Sequence, residues 1–233
     1  MNELFIKGIR IDWNAIDSDS YLQNISSLKS ISELMFDKSV TFFAGENGSG
    51  KSTLLEALAV AFGFNAEGGT LNYNFSTYHD TSDLSEAVIL IKSFRRPKLG
   101  YFFRAETFFN VATVGVEKYM SQDNYHNISH GEGFLAFMCG FDRAGLYIMD
   151  EPEAALSPQG QLSLLRHIYT SARNGSQFII ATHSPIILGC PEASVLSFDG
   201  GSILPCKYEE TQSYQLVKMF IERKDIILKE LLQ

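Results

Sequence analysis

The stretch FFAGENGSGKSTLLEALAVAFG, residues 42–63, joins a short apolar run to a run with helical spacing through a glycine-rich loop. Residues 45–52 match the phosphate-binding loop pattern G-x-x-x-x-G-K-[ST] at every position that the pattern specifies. Gly48 and Gly50 let backbone N–H groups close around phosphate oxygens, because glycine has no Cβ in the way. The sequence therefore predicts a strand, a loop that binds a triphosphate, and a helix over residues 51–62.

Two side chains at the end of this loop add the chemistry that a bound triphosphate needs. Lys51 supplies a positive charge to the β- and γ-phosphates, and Ser52 offers a hydroxyl oxygen to Mg²⁺. The N-terminus of the following helix adds free N–H donors and a favourable dipole. The residues expected to bind the nucleotide are Glu46, Asn47, Gly48, Ser49, Gly50, Lys51, Ser52 and Thr53.

Length and composition indicate one large α/β domain with a sizeable core. The chain has 233 residues, 45% of them hydrophobic and 20% charged, and a formal net charge of -8. That charge argues against broad non-specific binding of nucleic acid, although a local basic patch is compatible with it. Cys139, Cys190 and Cys206 form no C-x-x-C pair, so a reducing, cytoplasmic location is expected. The sequence shows neither a signal peptide nor a membrane span, and no membrane insertion is expected.

Short apolar runs alternate with helical runs, which predicts an α/β fold with a substantial parallel sheet. The predicted strands cover residues 4–11, 39–43, 71–75, 87–93, 101–104, 144–149 and 177–181, with a terminal hairpin at 194–198 and 202–206. The predicted helices cover residues 51–62, 131–140 and 157–174, with two more within 211–232, and residues 26–35 form a helix or a loop. In such sheets, ligands bind at the carboxyl ends of the strands.

Two adjacent acids end the strand in the stretch GLYIMDEP, residues 145–152. Neighbouring residues on a strand point to opposite faces, so Asp150 and Glu151 can take different roles. Asp150 is placed to hold Mg²⁺, and Glu151 can reach the attacking water as a general base, a role worth about 10²–10⁴-fold in rate. The alternative is that both acids only cap the next helix.

His183 follows a third apolar strand, in the stretch ATHSP. It lies 32 residues after Glu151, which is the spacing of one helix plus one strand. In a parallel sheet His183 can therefore lie beside Glu151. Its side chain would hydrogen-bond the γ-phosphate or the attacking water.

In order and spacing, these motifs resemble the ATP-binding cassette (ABC-type) ATPase family, and within it a small group labelled predicted AAA-family ATPases. The phrases GENGSGKSTLLEA, FFRAETFFNVAT, SHGEGF, DEPEAALSPQ and FIIATHSP carry the resemblance, which covers nearly the whole chain. It implies ATP as the triphosphate. It also implies a P-loop NTPase fold with an ABC-type, mostly parallel central sheet, an antiparallel N-terminal β portion and a reduced helical subdomain. One domain would cover residues 1–233, with the signature region at 105–140 and C-terminal helices at 207–233.

The resemblance also implies roles for residues outside these motifs. The family's signature loop is similar to residues 128–132, so Ser129 and Gly131 would contact the γ-phosphate of ATP held by a partner subunit. His130 departs from the glycine usual there. Glu106 stands where the family has a glutamine that binds Mg²⁺ and water, and its carboxylate is expected to bind Mg²⁺.

Two further features follow from the same resemblance. Residues 154–157 are similar to the family's D-loop, which lies at the dimer interface, with Ser157 where aspartate is usual. No aromatic residue stands out as the one that stacks on adenine, and Phe5 and Tyr21 are the candidates.

The short segment between Glu106 and Ser129, 23 positions apart, limits the function classes. In transporter cassettes this segment is a larger helical subdomain, and in chromosome-maintenance ATPases it holds a long coiled coil, for which no heptad pattern exists here. We therefore expect an ATPase that forms a head-to-tail homodimer on binding Mg-ATP and acts on an unknown protein partner or on DNA, as in repair or anti-phage defence. The alternatives are a nucleotide-gated binding module with negligible turnover and the nucleotide-binding subunit of a transporter.

Overall fold

The computed structural model describes residues 3–71, 82–104 and 144–232. The strands in these ranges are β1 (Ile6–Ile11), β2 (Glu33–Met35), β3 (Val40–Ala44), β4 (Gly69–Thr70), β5 (Val88–Lys92), β6 (Leu99–Arg104), β7 (Gly145–Asp150), β8 (Gln177–Ala181), β9 (Ser194–Ser197) and β10 (Leu204–Cys206). The α-helices are α1 (Ser26–Lys29), α2 (Lys51–Phe62), α3 (Leu84–Ala87), α4 (Pro158–Arg173), α5 (Pro185–Leu188) and α6 (Gln212–Leu231).

Seven strands form a central sheet in the order β10-β9-β3-β8-β7-β6-β4. The five strands from β9 to β6 are parallel, while β10 and β4 add antiparallel edges. A second sheet, β2-β1-β5, is antiparallel throughout. The predicted α/β fold, with a mostly parallel central sheet and an antiparallel N-terminal portion, is confirmed. The reduced helical subdomain was expected in residues that lie outside the described ranges.

The central sheet is buried on both faces, so its strands are almost continuously apolar. Phe43 of β3 faces the side covered by α2 and the antiparallel sheet, where it belongs to a cluster with Leu54 and Leu58. Its neighbour Phe42 faces the other side, where α4 contributes Leu164 and others to a second cluster. The alternation of side chains along a strand thus divides the core into two layers around one sheet.

Gln177 of β8 joins the two sheets through a buried amide. Its Oε1 accepts hydrogen bonds from the backbone N–H groups of Phe5 (2.8 Å) and Ile6 (2.9 Å), and its Nε2 donates to the carbonyl of Ile6 (2.8 Å). The first strand of the small sheet is therefore held against an interior strand of the large one.

Several predicted elements differ from the structure. Residues 26–35 contain the short helix α1 and the strand β2, where a helix or a loop was predicted. The backbone of α6 has non-helical angles at Arg223, so the two helices predicted within residues 211–232 are present as two segments joined by a kink. The strands β5 and β6 are neighbours in sequence but belong to different sheets. The predicted strand at 71–75 and helix at 131–140 fall on or extend into residues that are not described. No helix in the described ranges is long and apolar enough to cross a membrane.

Candidate active site

The three predicted motifs follow three neighbouring parallel strands, β3, β8 and β7. The register aligns Phe43 with Ala181, and Ala181 with Asp150, so the three strands end at the same level. A cavity of about 690 Å³ opens at this edge, lined by residues 44–47, Glu151, residues 182–183 and the first turns of α6. The fold therefore brings the motifs together as the sequence predicted.

The loop between β3 and α2 depends on glycine at two positions. Gly50 has a φ of +93°, and a Cβ there would lie 2.8 Å from Ile25 Cγ2 and 3.0 Å from Leu28 Cγ, so both the angle and the space require glycine. Gly48 has a φ of +81°, and a Cβ there would meet no described atom within 4 Å. The space next to Gly48 is therefore open to a ligand such as a phosphate, which fits the predicted cradle.

Lys51 lies inside this loop with 4% of its surface exposed. Its Nζ donates hydrogen bonds to the carbonyls of Gly45 (2.8 Å) and Glu46 (2.7 Å). Burial lowers the pKa of Lys51 below its ordinary value, while nearby carboxylates, Glu151 first among them, act in the opposite direction. A desolvated ammonium group at this position is suited to binding phosphate oxygens.

Ser52, in the first turn of α2, contacts Asp150 at the end of β7. The Oγ of Ser52 donates a hydrogen bond of 3.0 Å to Oδ1 of Asp150. Hydroxyl and carboxylate oxygens are the ligands that Mg²⁺ prefers, and Mg²⁺ commonly keeps several waters and substrate phosphate oxygens in its shell. The pair therefore fits the predicted Mg²⁺ site. Among the described residues no cluster of three or more His, Cys, Asp or Glu side chains forms an all-protein metal site.

Glu151 and His183 approach each other at the cavity wall. His183 Nε2 lies 3.5 Å from Glu151 Oε1, and the two side chains are 36% and 44% exposed. The predicted proximity of these residues is confirmed. Glu151 has the left-handed backbone angles φ +49° and ψ +53°, an uncommon conformation for a glutamate. This turn aims an accessible carboxylate into the space in front of the phosphate-binding loop.

Two family models match the chain. A model described as "AAA domain" matches residues 21–110, and one described as "AAA domain, putative AbiEii toxin, Type IV TA system" matches residues 133–189. Each model covers less than half of the sequence, and between them they include all three motifs of the site. Both describe AAA domains, so the matches support a P-loop ATPase of this type. No curated protein matches the sequence.

Solved structures with similarity to this ATPase include three of different kinds. The SMC head domain from Thermotoga maritima is 14% identical, covers 88% of this chain and 100% of that one, and has a TM-score of 0.48. The protein cbiO1 from Clostridium perfringens, part of the ABC transporter complex cbiONQ, is 16% identical over 96% of this chain and 98% of that one, with a TM-score of 0.44. UvrA2 from Deinococcus radiodurans is 24% identical over 41% of this chain, with a TM-score of 0.31, and the match spans 14% of UvrA2.

The sequence did not reveal that the ATPase anchors its phosphate-binding loop from the C-terminal side. The N–H of Glu46 donates to Asp199 Oδ1 (2.9 Å), and Gln212 Nε2 donates to Glu46 Oε1 (2.6 Å). Asp199 stands in a turn between two strands, which the sequence indicated only as a hairpin. Contacts at such separations in sequence leave no local pattern.

Other predicted residues of the ATPase are not brought into the cavity. Phe5 is 2% exposed and lies under the guanidinium of Arg95, with 4.5 Å from Cζ to the ring centre, so it is wrong as an adenine-stacking candidate. Tyr21 is 59% exposed, but it does not line the cavity. The predicted residues Glu106, Ser129 and Gly131 lie outside the described ranges.

Proposed function

We propose that this protein hydrolyses ATP with Mg²⁺ at sites shared between two copies of the chain, and uses the cycle as a switch on a protein partner or on DNA. One observation carries the proposal. The Glu151–His183 pair and the start of the phosphate-binding loop line one cavity at the ends of three adjacent parallel strands. Lys51 and the Ser52–Asp150 pair lie next to it, at the end of the same loop and at the end of β7. These are the charges and the general base that phosphoryl transfer to water requires.

Each of these residues has a definite task in the proposed reaction. The ammonium group of Lys51 exchanges the carbonyls of Gly45 and Glu46 for phosphate oxygens when the triphosphate enters the loop. Ser52 and Asp150 would hold Mg²⁺, which would neutralise charge on the phosphates. Glu151 accepts a proton from the attacking water, and His183 donates a hydrogen bond to a γ-phosphate oxygen.

The cavity supports the proposal that a second copy completes the site. Glu151 and His183 remain substantially exposed, although a reaction of this kind benefits from a site that excludes bulk water. Ser129 and Gly131 of a partner copy would close the cavity over the γ-phosphate.

The length of one segment bears on the class of partner that the ATP cycle serves. The short segment between Glu106 and Ser129 disfavours the alternative of a transporter subunit, because it leaves little room for a large docking subdomain. The second alternative, a nucleotide-gated binding module with negligible turnover, uses the same cavity without the chemistry of Glu151. The rate of ATP hydrolysis with added DNA distinguishes a protein partner from DNA.

Steady-state ATP hydrolysis by the wild type and by Glu151→Gln tests the proposal. Glu151→Gln should lower kcat by about 10²-fold or more, because an amide cannot accept the proton, while binding of a fluorescent ATP analogue persists. Glu86→Gln, an exposed position on α3, serves as the matched control and should behave as the wild type.

The remaining outcomes separate the candidate functions. Nucleotide binding by the wild type without turnover, alone or with DNA added, would contradict the hydrolysis and favour the gated binding module. A rate that rises several-fold on addition of DNA would favour a DNA role over a protein partner.

A further inference from the structure

Glu153 holds the loop that carries His183. It lies in the 3-10 turn Pro152–Ala155, two residues after Glu151. Its Oε1 accepts hydrogen bonds from the backbone N–H groups of His183 (2.6 Å) and Ser184 (3.1 Å). One carboxylate thus connects the segment after β7 to the segment after β8.

A second connection runs parallel to the first. The Oγ of Ser184 donates a 2.6 Å hydrogen bond to Oε1 of Gln161 in α4, and Gln161 Nε2 donates to the carbonyl of Leu156 (3.2 Å). The loop of His183 is therefore fixed on both sides to the chain that follows Glu151.

The bonds of Glu153 are not an ordinary helix cap. Helix α5 is already capped by Ser184, whose Oγ accepts from the N–H groups of Ile186 (3.1 Å) and Ile187 (3.2 Å), and its first residue is Pro185, which has no N–H. Glu153 instead binds the two N–H groups that precede the helix. One of them belongs to His183 itself, so the acceptor acts directly on the backbone of a candidate catalytic residue.

We propose that Glu153 is a positioning residue, which sets the place of His183 relative to Glu151 through the backbone N–H groups of His183 and Ser184. The inference rests on the proposed hydrolysis. One side-chain oxygen accepts from both N–H groups, so withdrawing that acceptor releases two hydrogen bonds of the loop at once. A catalytic group displaced by about 1 Å can lose about 10²-fold in rate.

Two variants of Glu153 distinguish the position of its acceptor oxygen from the negative charge of its side chain. Glu153→Gln keeps an acceptor at the same reach, whereas Glu153→Asp keeps the charge but withdraws it by one methylene group. Glu153→Asp should lower kcat by about 10²-fold with KM within about threefold of the wild type, and Glu153→Gln should retain most of kcat. Glu86→Asp, on the exposed face of α3, should leave both constants unchanged.

A double-variant cycle with His183→Ala tests whether Glu153 acts through His183. Once the imidazole is absent, adding Glu153→Asp should cause less than about a threefold further loss, because the misplaced group no longer exists. Losses that multiply, or an effect of Glu153→Asp confined to KM, would overturn the proposal. Equal activity of Glu153→Asp and the wild type would overturn it as well.

Hydrogen exchange provides a readout that does not depend on turnover. The amide of His183 should exchange at least about tenfold faster in Glu153→Asp than in the wild type, with Glu153→Gln close to the wild type. The amide of Ser184 should change less, because it also donates to Oγ1 of Thr182 (3.0 Å). Unchanged exchange in Glu153→Asp would contradict the clamp, even in a variant that folds normally. An inactive wild type would contradict the proposed hydrolysis instead, so the two failures are distinguishable.

Discussion

Glu151 combines a catalytic assignment with an unfavourable backbone conformation. Its φ of +49° costs a residue with a Cβ about 1–2 kcal/mol relative to a right-handed conformation. The turn persists because the N–H of Glu151 donates to the carbonyl of Ala181 (2.9 Å), and Pro152, with its own φ fixed by the ring, begins the following 3-10 turn. Strain of this kind, kept at the mouth of a cavity, is consistent with a functional requirement on the carboxylate.

Glu151→Gly should therefore remove hydrolysis without lowering stability. Relief of the positive φ offsets the roughly 0.5–1 kcal/mol of backbone entropy that glycine costs, so the free energy of unfolding should equal or exceed that of the wild type. Urea unfolding measures it. Ser163→Gly, inside helix α4, is the comparison and should lose about 0.5 kcal/mol, because glycine relieves no strain there. A greater loss at Glu151 than at Ser163 would contradict the strain.

Cys190 should make the protein sensitive to alkaline pH. Burial raises the pKa of its thiol from an ordinary value of 9.0 to about 11. The unfolded chain then releases the proton at a lower pH than the folded one, so the free energy of unfolding is unaffected below pH 9 and falls between pH 9 and about 11. The fall attributable to this thiol is at most about 3 kcal/mol.

The difference between the wild type and Cys190→Ala isolates that contribution, because the other groups titrate in both proteins. Thermal or urea unfolding across this pH range should show the stability advantage of the wild type shrinking as pH rises. Parallel curves from pH 8 to pH 11 would contradict the buried thiol.

At the scale of elements, the attachment of β1 to the central sheet depends on Gln177. Replacing it with leucine leaves the N–H groups of Phe5 and Ile6 and the carbonyl of Ile6 without their partner in the interior. An unsatisfied buried polar group costs about 1–3 kcal/mol, so Gln177→Leu should lower the free energy of unfolding by roughly 3 kcal/mol or more. Gln159→Leu, an exposed position on α4, should change it by less than about 0.5 kcal/mol.

A helix or strand could be predicted from the sequence where the residues that define it lie within it or next to it. Helix α2 was predicted with its exact ends, because the glycine loop begins it and Gly63, with a φ of +116°, ends it. Helix α4 was predicted within a residue from Ser157 and Pro158 at its start. By contrast, nothing in the sequence assigns β5 and β6 to different sheets, because that choice is made by partners far along the chain.

The same difference between local and distant determinants holds for the residues of the candidate site. Lys51, Ser52, Asp150, Glu151 and His183 could be predicted because each belongs to a recognisable pattern at or shortly after the end of a strand. Glu153 and Asp199 were missed because their roles depend on backbone N–H groups 30 and 153 positions away in sequence. A carboxylate that binds a distant backbone leaves no periodic or motif signal, and only the fold reveals it.

At the scale of the molecule, the described cavity is open on one side and partly apolar at its rim. Leu216 and Val217 of α6 line it together with Glu151 and His183, and both apolar side chains are exposed. A second chain placed over the opening would remove apolar surface and a catalytic carboxylate from water at once. The proposed shared site therefore predicts association that depends on bound nucleotide.

Light scattering of Glu151→Gln provides the measurement, because a variant that binds ATP without hydrolysing it should accumulate the associated state. We expect a mass near that of one chain, 26.0 kDa, without nucleotide, and about twice that mass with Mg-ATP. Lys51→Ala in the same background removes the charge that binds the phosphates and should remain a single chain under both conditions.

The pattern of outcomes distinguishes nucleotide-driven association from association of another origin. If Glu151→Gln is a dimer both with and without Mg-ATP, the two copies associate, but through a surface that does not depend on bound nucleotide. Glu151→Gln that stays monomeric while saturated with Mg-ATP would contradict the shared site, since the closing surface would then have to come from a different molecule. Because Lys51 lies within the loop and away from the rim, a dimer that is lost with Lys51→Ala must depend on the bound phosphates, not on the apolar residues of α6 alone.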